Sequence, residues 1–267
     1  MRFGCCTNMI ATRADLTGME HSEQLAKAGY DYLELPLAQI MDLPEKEFDK
    51  LKGHLKRLNL PCEACNNFFP AGIRLTGREV NMESVHKYTE AALLRASELG
   101  AEVIVFGSSG AKNVPEGFPF EAAWEQLVFL LRTINLSAKK YGITIAIEPL
   151  NQQESNIVNT LEDGFILAGE VAGENVKLLV DYYHFSMENE EISSLKTAEG
   201  LIKHVHIARP EGRGFPCTAD RENYSLFLRK LKETGYGDRI SIEAYSQDFS
   251  RDFSKGLDCL KTYLKPL

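Results

Sequence analysis

Ile143-Thr144-Ile145-Ala146-Ile147-Glu148 is a run of mostly aliphatic residues that stops on a carboxylate. A strand buried on both faces reads as a continuous apolar run of this kind. A charge at its carboxyl end is costly unless that end opens into a site where the group is paired or ligated. The same ending recurs downstream in Leu178-Leu179-Val180-Asp181, His204-Val205-His206 and Arg239-Ile240-Ser241-Ile242-Glu243. A single such ending reads as a solvated or salt-bridged terminus. Four of them, offering Glu148, Asp181, His206 and Glu243, supply a donor set suited to one divalent cation.

Side-chain alternation says how these runs are placed. Thr144, Ala146 and Glu148 share one face of their strand, and Ile143, Ile145 and Ile147 share the other. Ser241 and Glu243 are likewise opposed to Ile240 and Ile242. With the bulky faces against helices, both glutamates point into the mouth of a closed barrel. Further strand-like runs precede these at 3–6, 31–34, 62–66 and 102–106. Helix-like stretches at 19–28, 45–57, 82–99, 120–140, 161–171, 188–195, 224–234 and 253–264 alternate with the strands. Eight units of about thirty residues predict an α/β fold, a single-domain (β/α)8 TIM barrel over residues 1–267. Gly29, Gly100, Gly142 and Gly235 stand where left-handed caps close helices before the next strand. A doubly wound open sheet is the competing architecture, but no glycine-rich phosphate turn follows an early strand. In a ring of eight, the fifth and eighth strands approach a central ligand from separated directions, with Asp181 and His206 filling the arc between. His204, two residues before His206 on the same face, belongs to a supporting layer.

The 267-residue chain is 44% hydrophobic and 25% charged, a globular composition. Its net charge of −8 and lack of a basic run argue against a nucleic-acid partner. No apolar stretch approaches the roughly 20 residues of a membrane span. Met1-Arg2-Phe3-Gly4 has none of the pattern of a secretion signal, so a cytoplasmic location is expected. Cys62 and Cys65 have C-x-x-C spacing, yet residues three apart on a strand point to opposite faces. A shared metal or disulfide there would need a broken strand. All six cysteines are expected to be reduced. His21, His54 and His86 fall in helical stretches as surface or packing residues, and Trp124 is expected in the core. Asn67-Phe68-Phe69-Pro70 reads equally as a wall over a ligand or as loop packing. Gly107-Ser108-Ser109-Gly110 with Lys112 is too weak a signal to claim a phosphorylated substrate.

At Ile147-Glu148-Pro149-Leu150-Asn151, Asp181-Tyr182-Tyr183-His184, His204-Val205-His206-Ile207-Ala208 and Ser241-Ile242-Glu243-Ala244 the chain resembles the xylose isomerase-like TIM barrels, often described as sugar-phosphate isomerases and epimerases. Gly29-Tyr30-Asp31-Tyr32-Leu33-Glu34 and the Phe106 to Gly110 turn lend support. Order and spacing are similar to the ketose 3-epimerases of the D-tagatose and D-psicose type, and to hydroxypyruvate isomerase. The resemblance implies that Glu148, Asp181, His206 and Glu243 bind one divalent ion, with Glu148 and Glu243 also catalytic. It implies that Glu154 and His184 hold the terminal oxygens of a sugar and that Arg213 reaches a hydroxyl or the carbonyl. The loop after the seventh strand departs from hydroxypyruvate isomerase, carrying Arg209 in place of an acid and Phe215-Pro216-Cys217-Thr218 in place of a glycine-rich turn. A homodimer or homotetramer follows only by analogy with the family.

A hydroxy-ketone exchanges its α-proton through an enediolate, which a Lewis acid stabilises while a carboxylate acts as base. Epimerisation needs carboxyl groups on both sides of the carbon, which Glu148 and Glu243 offer. Aldose–ketose isomerisation of the hydroxypyruvate isomerase type can run on the same residues. Oxygen-rich ligation with one His suits Mn²⁺, Mg²⁺ or Co²⁺, and Zn²⁺ is also compatible. Rival classes are a metal-dependent dehydratase on a cyclic polyol ketone, an abasic-site endonuclease and a sugar-binding barrel without turnover. The endonuclease needs more strand-end histidines than a chain with six in all provides. The bare binder would be expected to lack a member of the shell.

Overall fold

Eight parallel strands close into a barrel in sequence order: β1 (Arg2–Cys6), β2 (Tyr32–Pro36), β3 (Cys62–Asn66), β4 (Val103–Phe106), β5 (Thr144–Ile147), β6 (Val176–Asp181), β7 (Ile202–Ile207) and β8 (Arg239–Ile242). The ring shuts through β1 and β8, with Phe3 opposite Ile240 and Gly4 opposite Ser241. This computed structural model describes residues 1–263, apart from the side chains of 220–222. Leu264, the expected end of the last helix, lies outside the described residues.

The connecting helices form the outer layer: α1 (Ser22–Ala28), α2 (Leu37–Asp42), α3 (Glu45–Leu58), α4 (Met82–Leu99), α5 (Ser109–Lys112), α6 (Phe120–Tyr141), α7 (Leu161–Val171), α8 (Tyr182–Met187), α9 (Arg221–Glu233) and α10 (Phe249–Tyr263). Helix α6 shows why the layer adheres. Leu127, Leu130, Leu131, Ile134 and Ala138 recur at helical spacing and are buried in one core with Ile143, Ile145 and Ile147 of the β5 segment. Gly100 at φ +87° and Gly142 at φ +66° end α4 and α6 in the left-handed region, which a Cβ would make costly. No helix among the described residues is long and apolar enough to cross a membrane.

Inside the ring, Tyr32, Ala64, Val103, Val105, Ala146 and Leu179 form a separate buried cluster. Ala146 thus faces inward while its isoleucine neighbours face the helices, as alternation predicts. The Tyr32 ring fills the barrel because Gly4 yields its space: a Cβ on Gly4 would stand 2.2 Å from that ring. At the amino end, Glu63 accepts hydrogen bonds from Arg2 and, at 2.6 Å, from Arg239, pinning β3 to the β1–β8 seam.

Three expectations need correction. The acidic stretch 188–195 is not the sixth helix; α8 starts directly after β6, and a short 3-10 turn follows at Ile192–Lys196. Asp181 caps α8 through a side-chain bond to the Tyr183 N–H, so the helix nucleates on the strand end itself. Cys62 and Cys65 do not diverge. Leu33 pairs with Cys62 and Glu34 with Ala64, so Glu63 is an extra residue in β3. This irregularity brings the two thiols to 3.8 Å, both buried and free. Trp124 is only half-buried, its indole N–H donating to Glu170. His21 belongs to a 3-10 turn, Met19–His21, that leads into α1. Phe68 and Phe69 are buried packing residues: Phe69 meets Phe68 and Tyr88 at tilted angles and Phe106 edge-on.

Candidate active site

All seven residues singled out for ligation or substrate contact converge at the carboxyl end of the barrel. Glu148 and Glu243 stand one residue beyond β5 and β8, Asp181 ends β6, and His206 is the penultimate residue of β7. One ligand atom from each of Glu148, Asp181, Glu243 and His184 falls within 4.8 Å of the others. His206 Nδ1 lies 3.1 Å from Glu148 Oε1 and 3.5 Å from Glu243 Oε2. Every member is buried.

The sequence around Glu148 is built to let it in. A Cβ on Gly107 would come within 1.9 Å of Glu148 Oε2, so only glycine at the end of β4 leaves room for this carboxylate. Lys112, itself buried, donates from Nζ to the Glu148 carbonyl at 3.0 Å. Burial lowers that ammonium to about 8. Ser108 Oγ accepts from the Phe69 N–H at 3.1 Å, tying the turn after β4 to the loop after β3.

The donor set fits a divalent ion on a specific observation. Asp181 Oδ1 is bonded to the Tyr183 N–H at 2.8 Å, but Oδ2 is buried and makes no hydrogen bond, with only the longer contacts to Arg213 at 3.5 Å and His184 Nε2 at 3.6 Å. Such an oxygen is expensive unless a cation takes it. Burial pushes Asp181 up to about 8 although Arg213 opposes the shift. Burial also raises Glu148, with the Glu243 charge adding to it and the His206 bond opposing it. For Glu243 the burial cost is outweighed by the Arg213 and His206 charges, and its carboxyl is held well below the usual range.

Glu34 is a functional-site residue that the sequence reading missed as such. It lies midway along the buried strand β2, with Leu35 and Pro36 beyond it, and shares the inward face with Tyr32, so the strand-end rule that picks out the four ligands does not reach it. Its carboxylate is fully buried, accepting from His206 Nε2 at 2.8 Å, from His204 Nε2 at 2.6 Å and from Ser241 Oγ at 2.6 Å. With Nε2–H committed to Glu34, His206 Nδ1 faces Glu148 and Glu243 and, with no cation there, carries a proton toward them; a bound cation would take the place of that proton on Nδ1. Burial alone would lower His206, but Glu34 outweighs it and raises its affinity for a proton. His204 is thus the supporting residue its spacing predicts.

Glu154, His184 and Arg213 gather on the β5–β7 side. His184 Nδ1 accepts from the Asn151 backbone N–H at 3.1 Å, so in the neutral ring the proton sits on Nε2. Burial, helped by Arg213, lowers His184 to about 3, so the ring is neutral and its Nε2–H is a donor rather than a ligand lone pair. Arg213 reaches Glu243 Oε2 at 2.5 Å, Asp181 Oδ2 at 3.5 Å and Glu154 Oε1 at 3.2 Å, and lies over the Tyr183 ring. Its backbone is left-handed at φ +47°, a conformation stabilised by Tyr245 N–H bonding to the Arg213 carbonyl and by the Gly214–Tyr245 bridge. Glu154 is the most exposed of the seven and pairs with Arg213 across the mouth.

Comparison with known proteins agrees with this architecture. The family model described as "Xylose isomerase-like TIM barrel" matches residues 22–263. An L-ribulose 3-epimerase of Mesorhizobium japonicum is 25% identical over 228 residues, covering 83% of this chain and 73% of the relative. An inosose isomerase of Halalkalibacterium halodurans is 26% identical over 265 residues, covering 91% and 88%. The solved structure of D-psicose 3-epimerase with D-tagatose from Clostridium cellulolyticum H10 superposes with a TM-score of 0.86 at 18% identity, covering 100% of both chains. A match of the family model across nine-tenths of the sequence, on a closed eight-stranded barrel, establishes that this chain belongs to the xylose isomerase-like TIM barrel family.

Proposed function

We propose that this enzyme is a metal-dependent ketose 3-epimerase. The observation that carries the reading is the pair Glu148 and Glu243, delivered from separated strands to one buried centre, with three donors or acceptors for sugar oxygens on a single side of it. The 3-epimerase and isomerase names of its relatives support the same reaction class.

Glu148, Asp181, His206 and Glu243 would hold the ion, through the carboxylate oxygens and His206 Nδ1. Mn²⁺, Mg²⁺ or Co²⁺ suits this set, and Zn²⁺ is compatible. When bound, a divalent ion supplies Lewis acidity to the ketone and its neighbouring hydroxyl. The remaining work belongs to side chains. His184 Nε2–H and Arg213 donate to the oxygens at the carbonyl end, while Glu154 accepts from a terminal hydroxyl. One carboxylate takes the C3 proton, and the C–H electron pair becomes the C2–C3 double bond of an enediolate. The carboxyl group on the other side returns a proton to the opposite face, the pair re-forms the C–H bond, and the ketone is restored with C3 inverted. Lys112 behind the Glu148 carbonyl fixes that side of the site, and Arg213 fixes Glu243.

Proton–deuterium exchange in heavy water with added Mn²⁺, across a panel of ketoses, tests the reading. The expected result is deuterium at C3 of a product with unchanged connectivity. Label at C1 or C2 with aldose formation would assign an isomerase instead, and loss of water from the product would assign a dehydratase.

A further inference from the structure

Asn66 closes β3 at the barrel mouth, opposite Pro36 in the ladder, and is 2% exposed. Its amide nitrogen donates to Asn8 Oδ1 at 2.8 Å and to Glu243 Oε1 at 3.3 Å. Both amide hydrogens are therefore committed. Turning the amide over would set its oxygen against the Glu243 carboxylate, which can only accept, so the orientation is fixed. Its own oxygen, Oδ1, is buried and has no partner in the protein. A fixed acceptor without a donor, next to a catalytic carboxylate, is a group waiting for a ligand hydroxyl.

Its place around the ring says which hydroxyl. Glu154, His184 and Arg213 occupy the β5–β7 arc and hold the carbonyl end, as the epimerase reading has it. Glu243 lies between the two arcs, its Oε2 toward Arg213 and its Oε1 toward Asn66. A ketose reaching past its reacting carbon enters the arc of β1 and β3, where Asn8 and Asn66 stand. We infer that Asn66 determines specificity by accepting a hydrogen bond from the hydroxyl on C4, the first carbon beyond the epimerised centre. This inference rests on the ketose reading of the site. It selects linear ketoses bearing a C4 hydroxyl over analogues that lack it.

The test compares a ketose and its 4-deoxy analogue by the rate of deuterium incorporation at C3 in heavy water, expressed as kcat/KM, in the Mn²⁺-loaded wild type and in Asn66→Leu and Asn66→Ser. The wild type should favour the hydroxylated substrate by about tenfold or more, the scale of one buried hydrogen bond to a fixed acceptor. Because Asn66 also touches Glu243, both variants should slow with either substrate, so the ratio is the readout; it should fall to within about threefold of unity in Asn66→Leu. Asn66→Ser, which fits without added bulk, serves if the leucine variant does not fold. Equal rates on the two substrates in the wild type overturn the inference without any variant, as does an unchanged preference in both variants, and either result leaves the epimerase reading standing. A wild type that exchanges no ketose proton removes the epimerase reading and this inference with it.

Discussion

Glu148→Gln and Glu243→Gln each lower kcat by about a thousandfold or more while leaving a folded, soluble protein, because each removes a proton-transfer group that general acid–base catalysis depends on. The two losses have different physical origins. Glu148 is buried and its affinity for a proton is raised, so a neutral amide of the same shape costs the fold little there. Glu243 is held ionised by Arg213 and His206, so its amide also frees the Arg213 guanidinium from its shortest ion pair in the site. Glu243→Gln should therefore raise KM as well as lower kcat, because the proposed reaction has Arg213 holding the sugar. Steady-state kinetics read against circular dichroism and thermal melting separate these effects. Activity retained in either variant removes that residue from the proton-transfer role.

Glu34→Gln should weaken metal binding by about 10–100-fold, although Glu34 is not expected to touch the ion. The carboxylate accepts three hydrogen bonds from His206, His204 and Ser241. A glutamine offers one acceptor oxygen and presents N–H donors where donors already point, so one histidine must turn or change tautomer. When His206 turns, Nδ1 leaves the carboxylate cluster. Titration calorimetry with Mn²⁺ reads the effect, and unaltered affinity in a folded variant would show that His206 is oriented by something else. Full burial of Glu34 makes some loss of thermal stability an accompanying result.

The barrel was legible because each strand is a short apolar run and because the left-handed glycine caps punctuate the helices. Predicted segments 62–66, 82–99 and 161–171 coincide with β3, α4 and α7. The sites of failure have local causes. Alternation assumed an ideal strand at Cys62, and the additional residue in β3 rotated its side chain onto the side of Cys65. The helix after β6 was misplaced because Asp181, which is read as a metal ligand, also serves as its cap, so the functional signal hid the structural one. Glu34 and Asn66 escaped notice for a shared reason. Their roles come from strands far apart in sequence, and a carboxylate or amide contributes little pattern of its own until β2 or β3 is set beside β7 and β8. Lys112 likewise reads only as a weak phosphate-turn signal until it is seen beneath the Glu148 carbonyl.

The account turns on four side chains sharing one divalent ion, and metal content after exhaustive dialysis measures that directly. Wild-type protein loaded with Mn²⁺ should retain about one ion per chain, as four donors around one centre require, and Asp181→Asn, which removes the charge behind the buried Oδ2 that makes no hydrogen bond, should retain far less. Wild type that keeps no metal, or an Asp181→Asn variant that keeps as much as the wild type, would contradict it.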